Sequence, residues 1–313
     1  MIKRPDWFVP NSPFGDLLHL NCNVSLDFDL IKQVQKSMEE FNSYNLFQYP
    51  DSPHNSTFNT YKLLSDYYGI DIKRISIGVG STELINRIVY WLKDEYWNVI
   101  SPTFKMVEVF CDIHKVNYSL REYHEFNEFD ISKIFPNSIV YVANPNGRNG
   151  HSFTNDEILS IIDKSKFTIL DEAYVDFSEH KSLLPYLRDR DDFCILRTFS
   201  KSLGLAGLRF GYCFGSENFI KGIQSIRLTH PINSMVEHIV ENFIEEIPNS
   251  VKRLKEGKEF IQGKYDYISS NGNYVLLKDC EDDFKNRCLY KKSDSIMRVS
   301  LTNEYVFKDI LSD

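Results

Sequence analysis

The sequence predicts an α/β fold, a mostly parallel sheet sandwiched by helices, with a smaller α+β unit after it. Three observations predict it. From about residue 60 to about 225, short β-rich runs alternate with patterns of helical period. The strands in that stretch are near-continuous apolar runs, which suits strands covered on both faces. Beyond about residue 230 the texture changes to long helical patterns and then short strands.

Taken in order, ISIG (75–78) leads into STELINRIVYWLKD, whose apolar residues recur at helical spacing, and WNVIS leads into FKMVEVFCDIHK. NYSLREY reads as a further strand. SIVYVANP precedes TNDEILSIIDKS, a helix whose Thr154 and Glu157 stand at capping-box spacing. FTILDEA, FCILRTF and LRFGYCF are three more apolar strands. PINSMVEHIVENFIEEI and VKRLKEGKEFIQG then predict long helices, and YDYIS, NYVLLKD and IMRVSL the short strands of the smaller unit.

With 313 residues the chain can form one large domain or two unequal ones. A formal net charge of −8 gives no basic footprint for nucleic acid, and no apolar run approaches membrane-spanning length. MIKRPDWFVPNSPFGD at the N-terminus lacks the apolar core of a secretory leader, so a cytoplasmic protein is expected. The six cysteines have no CxxC spacing and are expected as free thiols. Eight scattered histidines, without HExxH or other zinc spacing, predict no metal site.

In open α/β sheets, ligands lie beyond the carboxyl ends of the strands. Here GVGST follows ISI, SPTF follows NVI, NPNGRNG follows IVYVA, DEAY follows FTIL, and SK follows CILRTF. So many polar or ionisable strand ends point to one shared site. Within TFSKSLGLAGLRFGY, Lys201 sits among small and apolar residues, with Arg209 eight residues later. A lysine stem laid over apolar neighbours is the ordinary reading of such a position. The other is an amine held ready for Schiff-base chemistry.

In this order, GVGSTELI, SPTF, NPNGRNG, DEAYVDF and TFSKSLGLAGLRFGY resemble the fold type I pyridoxal-phosphate-dependent aminotransferases. Within them the chain looks most like the class II histidinol-phosphate aminotransferase branch and its relative, threonine-phosphate decarboxylase. The resemblance covers nearly the whole chain. It implies an N-terminal arm over 1–30 that joins the small domain, a large cofactor-binding domain over 31–228, and a small domain over 229–313.

The resemblance also implies roles. Lys201 would be the Schiff-base lysine and the general base and acid, Asp171 the partner of the pyridine nitrogen, and Tyr174 with Asn146 the contacts of the 3′-oxygen. Gly80, Ser81 and Thr82 open a helix whose N–H groups and dipole suit the cofactor phosphate, with Ser200 and Arg209 adding a hydroxyl and a charge. Phe104 would stack on the ring. Tyr49, in QYPD, would reach the phosphate of a neighbouring subunit, implying a homodimer with shared sites. Arg298 in MRVSLTN, with Asn23, would hold the substrate α-carboxylate, a group that a planar guanidinium suits. Asn273 and Tyr274 match the family's NY strand.

The reaction so implied moves an amino group between glutamate and a small phosphorylated keto compound. That compound is of the histidinol-phosphate type or a three-carbon phosphate such as dihydroxyacetone phosphate. The alternative is a phospho-amino-acid decarboxylase; Ala206 in GLAGLR, where that branch tends to carry proline, favours amino transfer.

Two departures stand out. NPNGRNG carries Arg148 and Asn149 in place of the Pro-Thr pair of the family's NPNxPTG. The stretch 279–296 is shorter than in the family and lacks the arginine that meets the substrate phosphate, leaving Lys291 and Lys292 as substitute charges. A nicotinamide-binding enzyme is disfavoured because Glu83 occupies the third glycine position of GxGxxG. A relative that has lost catalysis is disfavoured by the joint presence of Lys201, Asp171, Tyr174 and Arg209.

Overall fold

A computed structural model describes residues 18–21, 23–52, 55–123, 129–284, 288–289, 291–293 and 296–312. Seven strands make the main sheet: β1 (Ile75–Val79), β2 (Trp97–Ser101), β3 (Tyr118–Glu122), β4 (Ile139–Ala143), β5 (Phe167–Asp171), β6 (Phe193–Thr198) and β7 (Phe210–Phe214). Their spatial order is β1-β7-β6-β5-β4-β2-β3. All pairings are parallel except those of β7, which runs antiparallel to both β1 and β6.

Alternation of side chains along each strand divides the core into two layers. In β4, Val140 and Val142 join one apolar cluster while Ile139, Tyr141 and Ala143 join the other. Every residue of β4 and β6 is buried, which suits the apolar runs IVYVA and FCIL within them. Each large aliphatic side chain so buried contributes about 1.5–3 kcal/mol.

The helices include α1 (Phe28–Glu39), α2 (Thr57–Tyr68), α3 (Gly80–Trp91), α4 (Met106–His114), α5 (Asn155–Lys164), α6 (Phe199–Ser202), α7 (Glu217–Gln224), α8 (Ser234–Phe243), α9 (Ile247–Gln262) and α10 (Glu304–Ile310). The capping box of α5 forms as its spacing predicts. Thr154 Oγ1 accepts from the Glu157 amide at 3.3 Å, and Glu157 Oε2 accepts from the Thr154 amide at 2.7 Å. The helix predicted over PINSMVEHIVENFIEEI is shorter than expected: α8 ends at Phe243, and α9 opens with Pro248 in its first turn. Proline has no N–H to continue a helix but is suited to start one.

The C-terminal strands β8 (Tyr267–Ile268), β9 (Tyr274–Lys278), β10 (Lys291–Ser293) and β11 (Ile296–Ser300) form an antiparallel sheet ordered β8-β9-β11-β10. Residues 18–27 are tied to this unit. Leu18–His19 pairs with Cys288–Leu289, and Leu26 bridges to Thr302. Asp27 caps α1 and receives Arg253 of α9, with Nη2 to Oδ2 at 2.7 Å. Burial alone raises the Asp27 carboxyl, but the bonds from Arg253 and Asn303 prevail and hold it below the usual range.

Candidate active site

The lysine singled out in the sequence lies on α6, directly after β6. Lys201 Nζ donates to the Asn23 carbonyl at 2.8 Å and sits 5.5 Å from the centre of the Tyr174 ring. Burial lowers its pKa to about 8, aided by the charges of Arg298 and Arg209 and opposed by Asp171. Asp171 ends β5 and is buried. Its Oδ1 accepts from the Ala173 amide at 3.0 Å and its Oδ2 from the Tyr141 hydroxyl at 2.5 Å. Burial raises this carboxyl, against the opposing pull of those bonds and of Lys201.

One N-terminal residue draws these groups together. Asn23, at φ 60° in the left-handed region that asparagine tolerates, donates from Nδ2 to the Tyr174 hydroxyl at 2.6 Å. Its Oδ1 accepts from Arg298 Nη2, which also donates to the Gly147 carbonyl at 3.0 Å. Arg298 lies over Tyr274, with Cζ 3.5 Å from the ring centre. Asn273 Nδ2 donates to the Asn23 carbonyl at 3.2 Å. Burial pushes the Tyr174 phenol up to about 12, so it keeps its proton. Gly147 lets this ring approach: a Cβ there would stand 2.4 Å from Tyr174 Cε2.

A second cluster sits at the start of α3. Its N-cap, Val79, gives no side-chain bond, so the N-cap side chain leaves the first-turn N–H groups uncapped. Gly80 has φ 74°, and a Cβ there would lie 2.6 Å from Arg209 Nη2. The glycine thus keeps the guanidinium against the helix start. Ser81 and Thr82 continue the same turn. Ser200 is buried, with its hydroxyl 3.0 Å from that of Thr198. An open helix start, an arginine held on it and a nearby hydroxyl fit a phosphate group. Together with a lysine of depressed pKa and a buried carboxylate, they fit pyridoxal phosphate.

The remaining expected residues have the following surroundings. Tyr49 is 73% exposed and stacks on His230 at 4.7 Å and 15°. Phe104 packs on the core layer that holds Tyr141. Asn146 is buried in its loop, where Nδ2 donates to the Pro102 carbonyl at 2.5 Å and to the Tyr123 hydroxyl at 3.0 Å. Its Oδ1 accepts from the Arg148 amide at 2.8 Å. The side chains of Lys291 and Lys292 lie outside the described residues. Sequence reasoning missed Tyr123 and Tyr141. The available signal for Tyr141 was a hydroxyl in an otherwise aliphatic strand. Among the described residues no cluster of histidine, cysteine and acidic side chains is placed to hold a metal ion. Cys111, Cys194, Cys213 and Cys280 are buried and free.

Comparison with known proteins agrees with this geometry. A family model for class I and II aminotransferases matches residues 15–306. The histidinol-phosphate aminotransferase of Pyrococcus furiosus is 33% identical over 266 residues, covering 80% of this chain and 76% of that one. Among solved structures, the histidinol-phosphate aminotransferase of Sinorhizobium meliloti in complex with pyridoxal-5′-phosphate superposes with a TM-score of 0.74 at 18% identity, over 94% of this chain and 88% of that one. The L-threonine-O-3-phosphate decarboxylase of Porphyromonas gingivalis gives 0.75 at 17% identity, over 94% and 98%. The fold is therefore common to both chemistries, and the assignment rests on the family match and the sequence identity. On those grounds the chain belongs to the class I and II aminotransferases, enzymes that work with pyridoxal phosphate.

Proposed function

We propose that this pyridoxal-phosphate-dependent aminotransferase moves an amino group between glutamate and a small phosphorylated keto compound. The observation that carries the reading is the convergence of Lys201, Tyr174 and Arg298 on Asn23. It puts an amine of lowered pKa beside a guanidinium suited to a substrate carboxylate. When bound, the cofactor supplies the electron sink for the bond broken at the substrate Cα. Lys201 holds the cofactor and moves the proton at Cα. Asp171 keeps the pyridine nitrogen protonated, and Tyr174 donates to the 3′-oxygen. Gly80, Ser81, Thr82, Ser200 and Arg209 receive the phosphate. Arg298, with Asn23, grips the α-carboxylate and so fixes which Cα bond faces Lys201.

The phosphorylated acceptor follows the relatives named as histidinol-phosphate aminotransferases, and the short stretch 279–296 leaves a smaller three-carbon phosphate an equal fit. Domain limits near 30 and 228 belong to the same reading, supported by the ties of residues 18–27 to the C-terminal sheet. So does a homodimer, supported by an exposed apolar run: Tyr44, Leu46, Phe47 and Tyr49 are 63%, 55%, 85% and 73% exposed. A cytoplasmic setting is supported by the buried free thiols.

Glutamate alone is expected to bleach the visible band of the purified holoenzyme and release 2-oxoglutarate, and a small keto phosphate to restore the band. If glutamate leaves the band untouched while phosphoserine or phosphothreonine yields carbon dioxide, the enzyme is a decarboxylase instead.

A further inference from the structure

We propose that Tyr141 is a positioning residue of the reaction, whose hydroxyl fixes the Asp171 carboxylate and sets how strongly it draws on the cofactor's ring nitrogen. The inference rests on the reading of Asp171 given above. Tyr141 is fully buried at the middle of β4, flanked by Val140 and Val142. In the parallel pairing of β4 with β5 it lies opposite Ile169. Asp171 is two residues further on, about 6.6 Å along the strand at roughly 3.3 Å per residue, and on the same face as Ile169. The tyrosine ring spans that step and brings its hydroxyl to 2.5 Å from Oδ2.

An aliphatic residue would fill this place without bringing in a polar group that needs a partner. Burial and the charge of Asp171 push the Tyr141 phenol well above its ordinary range, so the hydroxyl is the donor. The Ala173 amide takes the other oxygen. With one donor on each oxygen the carboxylate cannot swing, and each oxygen keeps acceptor capacity for the site. A donor on Oδ2 also disperses its charge. Among the described residues, the charged side chains that act on Asp171 include Lys201 and Glu172. Glu172 is engaged elsewhere, by Arg197 at 2.9 Å and by the Ser182 hydroxyl at 2.6 Å. Tyr141 is therefore the side chain that tunes this carboxylate from behind.

Tyr141→Phe keeps the ring and removes only the hydroxyl. Turnover is expected to fall about 10- to 100-fold with KM nearly unchanged, the effect of losing one hydrogen bond to a charged group. In the holoenzyme, the pKa read from the visible band is expected to rise by about half a unit or more, because the undispersed charge of Asp171 favours protonation nearby. Replacing Tyr141 with 3,5-difluorotyrosine, a stronger donor of nearly the same size, is expected to lower that pKa. This second variant keeps the test decisive should the phenylalanine variant fold poorly. Nitrogen-15 spectra of ring-labelled cofactor are expected to shift in opposite senses in the two variants. Wild-type turnover, band pKa and nitrogen resonance in both variants would overturn the inference, as would a loss of thermal stability alone. Asp171→Asn separates this from failure of the site reading. If that variant also turns over normally, Asp171 is the wrong acid; if it is crippled while both Tyr141 variants behave as wild type, only the role of Tyr141 falls.

Discussion

An amine with a pKa of about 8 is unusual for a lysine, and at Lys201 it has a direct kinetic signature. The neutral amine is the nucleophile, so capture of pyridoxal phosphate by the apoprotein is expected to speed up as pH rises through about 8 and then level off. An ordinary lysine would keep gaining up to about 10.4. Stopped-flow absorbance across this range checks it, and a rate still climbing steeply at the upper end would contradict the lowered value. The stability sign follows from the same shift. Between the lowered value and the ordinary one, the folded protein binds fewer protons at this site than the unfolded chain does. Its contribution to stability therefore rises with pH across that window. At this scale Lys201, Asp171 and Tyr174 drew notice as polar or ionisable groups after apolar strands, and Arg298, inside its strand, only through the resemblance. The hub role of Asn23 was not. Its partners lie 178 and 275 residues away in Lys201 and Arg298, and an asparagine carries no chemistry that marks it in advance. Tyr141 was hidden for a related reason, because strand register alone brings it to Asp171.

The start of α3 shows how an element makes a binding surface by leaving something out. No side chain caps it, and Gly80 occupies a backbone conformation that other residues rarely adopt. Gly80→Ala adds strain and puts a methyl group into the position of the Arg209 guanidinium. Cofactor affinity is expected to fall about 10-fold or more, through loss of one charge-assisted contact, with the fold retained. Titration of the apoprotein with pyridoxal phosphate measures it, and unchanged affinity would remove Gly80 and Arg209 from the phosphate site. The strands and the α5 cap were readable because their signals are local, namely apolar runs and a Thr-Glu spacing. The break between α8 and α9 was less so, since the apolar period runs on past it and only Pro248 marks the restart.

For the whole molecule, the exposed segment Ser43–Phe47 and neighbouring Tyr49 are the test of assembly. Phe47 is 85% exposed in one chain, so Phe47→Asp costs an isolated chain little. It is expected to give a monomer by light scattering, with most turnover lost; a monomer of full activity would disprove shared sites. The general architecture was legible from alternation and apolar content, whereas the homodimer was expected only through the resemblance at Tyr49, because an exposed aromatic residue in a sequence looks like any other. One reversal in the main sheet also has a mechanical meaning. Since β7 runs against its neighbours, the chain leaves the site along Lys201, turns, and re-enters it at Arg209 within nine positions. Both arms of that turn are stitched into the sheet, β6 against β5 on one side and β7 against β1 on the other. The hairpin therefore acts as a caliper, with its jaws set by strand spacing rather than by the loop between them. A residue added to or removed from that loop would be absorbed at its tip, but one added to either arm would move one jaw out of register with the other.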